Sequence, residues 1–236
     1  MADNMIRNTG TMERTQSVVN VFMRGVYLWM AIGLGVTAVA SWFVLSNSSF
    51  LNYLYYNRTL LFAMLIVELG FVFVISMFLN KLSSTAVTAL FVAYSVLSGI
   101  TLAPILAIYT YASVTQAFVS CAAMFGAMSV YGLVTKRDLT GWGSFLFMGL
   151  IGIIVASIIN IFLKSPAMYY VISYVGVIVF LGLTAYDTQK LRVMGESAPH
   201  DDHTAIRRAT IFGALTLYLD FINLFLMLLR IFGDRR

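Results

Sequence analysis

Seven continuous apolar runs follow one another along the chain, near 25–45, 60–79, 86–108, 112–134, 143–163, 168–190 and 209–232. Each is long enough to cross the ~30 Å hydrocarbon core of a bilayer as a helix rising ~1.5 Å per residue. Closed β-barrels are the other structure that satisfies its backbone in lipid, but barrel strands alternate and these runs do not. The links between the first six are short. The pattern therefore predicts an all-α membrane protein: a polar tail over 1–22 and a single seven-helix transmembrane domain over 23–236.

The last run, 209–233, departs from uniform apolarity, because Asp220 and Asn223 sit in its middle. At 100° per residue, Gly213, Thr216, Asp220, Asn223, Met227 and Arg230 share one face, and the other face is Leu, Ile and Phe. A carboxylate at bilayer depth costs several kcal/mol unless it faces a bundle interior or a wet cavity. The C-terminal helix is thus expected to be central, wrapped by the other six, with Thr216 and Asn223 supplying polar support around Asp220.

Composition agrees with the pattern. The chain is 60% hydrophobic and 11% charged, with three prolines, a single cysteine and a net charge of +5; its mean hydropathy is +0.88. Nucleic acid is excluded as a partner, since the basic residues are scattered among span ends instead of massed on a face. They read as topology signals. Arg7, Arg14, Arg24, Lys81, Lys136, Arg137, Lys190, Arg192, Arg207 and Arg208 fall on the N-terminal side, 10 in all, against 5 on the other (Arg58, Lys164, Arg230, Arg235 and Arg236). The N-terminus is expected in the cytoplasm and the C-terminus outside. The terminal Asp234-Arg235-Arg236 opposes this and would suit a re-entrant last segment. Residues 1–22 lack the apolar core and small-residue site of a cleavable signal. Cys121, in an apolar run, reads as a packing residue. Small residues at helix-packing spacing (Gly126, Ser129 and Gly132; Gly149, Gly152 and Ala156) read as seams along which backbones approach. Pro104, inside the third span, removes a backbone donor and implies a kink or local opening.

Three acidic residues lie in or at the edge of spans: Glu68, Asp187 and Asp220. Glu68 is mid-way along the second, with Arg230 as a conceivable ion-pair partner. Asp187 and Asp220 lie on antiparallel spans joined through the loop 195–203 and fall at similar depth toward the cytoplasmic side. Two touching acids in a low dielectric resist ionising together, so such a pair shares a proton and titrates as a unit. That suits a pH sensor, and carboxylate oxygens are also what a hard cation such as Ca²⁺ takes. Lys81, closing the second span on the same side, could latch Asp187 or simply reach for headgroups. His200, Asp201, Asp202 and His203 carry metal-capable atoms but read as a solvated turn.

The run Tyr218-Leu219-Asp220-Phe221-Ile222-Asn223-Leu224-Phe225, followed by Leu228-Leu229-Arg230, resembles the Bax inhibitor-1 (transmembrane Bax-inhibitor-motif) family, and its bacterial members in particular. The likeness extends to Ser98-Gly99-Ile100-Thr101-Leu102, Lys136-Arg137-Asp138-Leu139 and Ala185-Tyr186-Asp187. It implies a seven-helix bundle around a central last helix, and a pH-sensitive Ca²⁺ leak governed by a di-aspartyl sensor at positions matching Asp187 and Asp220. Relatives carry an arginine near the end of the second span that latches the sixth-span aspartate. Lys81 stands there in this chain, without the planar fork of a guanidinium. Glu68 matches a further acidic position of the family.

The expected function is a pH-gated cation leak in the bacterial inner membrane, with Ca²⁺ as permeant ion and no cofactor or enzymatic activity. The alternative is a non-conducting stress or quality-control regulator that binds other membrane proteins. An intramembrane aspartyl protease is a third reading. It has the two aspartates and a Tyr186-Asp187 element, but the bulky residues Leu217-Tyr218-Leu219 stand before Asp220 where that class has Gly-x-Gly.

Overall fold

The computed structural model describes residues 2–197 and 202–234, with side chains from Val18 onward except that of His203. Among the described residues eight helices follow in order: α1 (Ala2–Ser46), α2 (Ser48–Tyr56), α3 (Arg58–Phe78), α4 (Ser84–Ala107), α5 (Tyr111–Val134), α6 (Thr140–Leu163), α7 (Pro166–Glu196) and α8 (His203–Phe232). All but α2 are long and apolar enough to span a bilayer. The seven expected spans are all present, so this is an all-helical, seven-span membrane protein. In α1, the first span begins at Val18 and the polar N-terminal segment precedes it.

Two features differ from the sequence pattern at its edges. The link between the first two spans holds a nine-residue helix, α2. Asn47 caps its start by accepting from Phe50 N (3.1 Å), Asn57 caps α3 by accepting from Leu60 N (3.1 Å), and Leu54 is buried. Two asparagine caps ten residues apart thus cut a short amphipathic helix out of what hydropathy shows as a gap. Pro104 lies in the last turn of α4, three residues before the helix ends at Ala107, where a lost backbone bond disturbs little.

The chain divides into two compact units. The first comprises Met1–Pro104 and Leu191–Leu215. One seam joins α1 to α4. Gly99 lets the α1 backbone come so close that a Cβ there would lie 2.5 Å from Thr37 O, and Gly33 makes room for the Phe91 ring. Across it Thr37 Oγ1 donates to Ser95 O (2.9 Å) and Ser41 Oγ donates to Gly99 O (2.7 Å). In lipid, where apolar surface does not drive helices together, close backbone approach and such bonds hold the pair. Val44, Leu54 and Ala103 form a buried cluster with Phe50, Leu60 and Ile100 packed around it. Arg208, on α8, donates to Asn80 O (2.8 Å) and Leu82 O (3.2 Å) and so satisfies carbonyls freed where α3 ends.

The second unit comprises Ile105–Lys190 and Thr216–Arg236. Glycine again sets the spacing, but the two small-residue rows are only half used. Gly132 meets the Ala185 carbonyl and Thr188, and Gly149 meets Val179, whereas Gly126 and Gly152 face open space. At one end the link before α5 holds the chain's last described residue: Thr110 N donates to Asp234 O (3.1 Å) and Asp234 N donates to Ser113 Oγ (3.0 Å). Lys164 closes α6 in the left-handed region (φ 50°), with Asn160 Oδ1 accepting from Ser165 N (3.0 Å). The last segment is one uninterrupted 30-residue helix, long and apolar enough to cross without turning back. It is also the most enclosed span: 67% of its most apolar stretch is buried, against 6% in α3 and 11% in α6.

Candidate functional site

The site is built where α7 and α8 meet inside the second unit. Gly176 accepts the Met227 side chain against its backbone, and further along the same pair of helices the Asp187 and Asp220 carboxyls come within hydrogen-bonding reach of one another. α5 approaches α7 at Gly132, beside Ala185 and Thr188. α6 approaches at Gly143, where the Tyr186 ring occupies the room a Cβ would take. α8 is fixed next to Asp220 by aromatic edges: Phe221 packs on Phe125 (5.4 Å between centroids) and Phe118 (5.7 Å), and Cys121 Sγ donates weakly to Phe221 O (3.5 Å). Both aspartates are therefore carried by helices whose outer faces are packed against α5 and α6.

Asp220 is 5% exposed and its Oδ2 has no hydrogen-bond partner. Asp187 is half-buried. Two ionised carboxylates have no hydrogen to share, so a bond between them would need a proton on one of the two. Thr188 Oγ1 and Ser129 Oγ are also buried in this unit without a partner. Lys190, one turn beyond Asp187, attracts its charge and places Nζ 5.9 Å from the Tyr186 ring centre.

The other expected residues are placed as follows. Thr216 and Asn223 lie one turn to either side of Asp220, half-buried, and Asn223 Nδ2 turns back to Leu219 O (2.8 Å). Arg230 stands over the Tyr169 ring (5.3 Å), whose hydroxyl meets that of Tyr109 (3.2 Å). In the first unit Glu68 accepts from Thr101 Oγ1 (2.6 Å), and Lys81 Nζ lies 5.9 Å from the Phe78 ring centre. Glu68 and Arg230 each thus have a partner within their own unit. Of the loop 195–203, residues 198–201 lie outside the described residues, and Asp202 caps α8 by accepting from Ala205 N (2.9 Å). Among the described residues no three His, Cys, Asp or Glu gather as a metal site. The aspartate pair offers carboxylate oxygens alone where resident Ca²⁺ takes six to eight ligands.

Gln189 escaped the sequence reading. Its Oε1 accepts from Leu139 N (2.8 Å) and its Nε2 donates to Arg137 O (2.8 Å), so one buried side chain ties the α5–α6 link to α7 two residues beyond Asp187. The partners are 52 and 50 residues away, and no spacing rule finds them. Lys190 was legible, as the cation at i+3 from Asp187.

Seven apolar helices with a carboxyl pair shared between the last two define a polytopic membrane protein. Residues 19–236 match the family described as Inhibitor of apoptosis-promoting Bax1, and the chain belongs to this Bax inhibitor-1 family. It is 52% identical over 218 residues to the inner membrane protein YbhL of Escherichia coli K12, covering 92% of this chain and 93% of that one. A protein of Borreliella burgdorferi is 43% identical over 227 residues (96% and 97% of the two chains), and one of Deinococcus radiodurans 40% identical over 235 (100% of each). The chain is accordingly a multi-pass inner-membrane protein.

Proposed function

We propose that the protein is a pH-sensitive cation leak, with Ca²⁺ as permeant ion, gated by the protonation state of the Asp187–Asp220 pair, and that its N-terminus is cytoplasmic. The observation that carries this reading is the close approach of two carboxyls on neighbouring membrane helices, one of them buried with an oxygen left over. Holding a proton, the pair draws α7 and α8 together. Without it, two unit charges ~4 Å apart repel by about 4 kcal/mol at an effective dielectric of ~20. A bias of that size changes a two-state ratio by roughly a thousandfold. The helices then have a closed and a loosened packing whose populations follow pH.

The test is Ca²⁺ flux into proteoliposomes at pH 6 and pH 8, for the wild type and for Asp220→Asn. The expected result is a flux that differs between the two pH values and loses that difference in the variant. Flux indifferent to both sinks the reading. Absence of flux together with a stoichiometric membrane partner would favour the regulatory role instead.

A further inference from the structure

The second span holds a carboxyl that the aspartate mechanism does not use. Glu68 is the eleventh of the 21 residues of α3, the least enclosed span. Leu65, Ile66, Val67 and Leu69 around it are all exposed, Ile66 by 69%, so the half-buried carboxyl has hydrocarbon on its flanks. Thr101 is buried and donates to Glu68 Oε1 at 2.6 Å. The same Oγ1 also lies 3.0 Å from Ser98 O. A hydroxyl has one hydrogen and so serves one of these acceptors at a time.

That single hydrogen defines two complete arrangements. When Glu68 is ionised, Thr101 donates to the carboxylate. When Glu68 carries a proton, its own O–H donates to Thr101 Oγ1, and the threonine hydrogen turns to Ser98 O. Neither state strands a donor. A bare carboxylate midway across hydrocarbon costs several kcal/mol, whereas the neutral acid is content with one partner. Within the first unit α2 and α4 carry no charged residue, α1 from Val18 onward carries Arg24 alone, Lys81 follows the end of α3, Arg192 of α7 pairs with Glu196, and α8 carries Arg207 and Arg208, the latter engaged with the Asn80 and Leu82 carbonyls. On α3 itself the other charged residue is Arg58, at its first position.

We propose that Glu68 and Thr101 form a second proton-binding site, open to the bilayer, whose protonated carboxyl is the point of attack for hydrophobic carbodiimides. In that reaction the carboxyl O–H adds across one C=N bond. The oxygen bonds to the central carbon and the proton passes to nitrogen. The O-acylisourea then rearranges by oxygen-to-nitrogen acyl transfer to a stable N-acylurea, with no leaving group and no redox partner. Thr101 is the positioning residue.

The experiment treats the full-length protein in proteoliposomes with dicyclohexylcarbodiimide or with a water-soluble carbodiimide, and maps the adducts by mass spectrometry. Adduct at Glu68 is expected with the hydrophobic reagent, in excess over the water-soluble one. It should fall about tenfold or more between pH 6 and pH 8, as the protonated fraction declines. Glu68→Gln removes it. Thr101→Val takes away the donor to the anion and keeps labelling high at pH 8, a change that mere loosening of the helices would not give. Asp220→Asn leaves the adduct unchanged, which separates this site from the leak. Labelling confined to the aspartates, labelling of Glu68 equally by both reagents, or an unaltered pH profile in Thr101→Val would each overturn the proposal.

Discussion

Removing the Gln189 side chain is the sharpest test of how the aspartate helix is held. Gln189 is 8% exposed and its amide serves two backbone groups of the α5–α6 link. In Gln189→Ala these groups fare differently. Arg137 is exposed, so its carbonyl regains water at little cost, but Leu139 is 9% exposed and its N–H is left without an acceptor. A buried unpaired donor costs about 1–3 kcal/mol, and loss of this one bond dominates the expected destabilisation. In Gln189→Glu the acceptor to Leu139 N survives, but an oxygen then faces the Arg137 carbonyl, so the variant loses overall stability while the Leu139 bond itself is kept. The assay is amide hydrogen exchange of Leu139 in detergent micelles, with thermal unfolding alongside. At about 1.4 kcal/mol per factor of ten, Leu139 should exchange roughly 5- to 150-fold faster in the alanine variant and less so in the glutamate variant. Unchanged protection of Leu139 in Gln189→Ala would refute the reasoning.

Other expectations follow from single contacts. Gly132→Ala drives a Cβ into the Ala185 carbonyl, which cannot swing aside as a side chain can, and should lower stability by about 1–3 kcal/mol in thermal unfolding. Gly126→Ala and Gly152→Ala meet open space and should be neutral or stabilising by up to ~1 kcal/mol through helix propensity. Ser41→Ala should cost only about 0.6 kcal/mol despite its 2.7 Å bond to Gly99 O, because polar groups in the membrane-unfolded state also find partners. Asp138, in the α5–α6 link, accepts from Thr140 N (2.9 Å), and the Thr140 hydrogen bonds hold its carboxyl below the usual aspartate range. A depressed folded value means that its contribution is present at neutral pH and disappears as pH falls through that value. A carboxyl carbon titration by NMR should place its midpoint below that of an unfolded aspartate, and Thr140 protection should fall with it.

The spans were legible because a bilayer makes hydropathy and length nearly sufficient: a run of about 20 apolar residues has few structures open to it in lipid. Asp187 and Asp220 could be paired from the chain alone because their helices are consecutive and antiparallel, so equal distance from a turn implies equal depth. What the sequence left open depended on which faces meet. Gly126 and Gly132 are indistinguishable as letters, yet one faces space and the other the Ala185 carbonyl, since helix rotation and tilt decide which small residue lies in the seam. Glu68 had Arg230 as its conceivable partner in the sequence, and Thr101 became its hydrogen-bond donor only when α3 and α4 packed. Gln189 lies among polar residues that end a span, and nothing in their order shows that its amide closes a link about 50 residues away. Hydrophobicity is a property each residue carries with it, so it can be read in order along the chain; directional bonds and close contacts belong to pairs, and folding alone chooses the pairs.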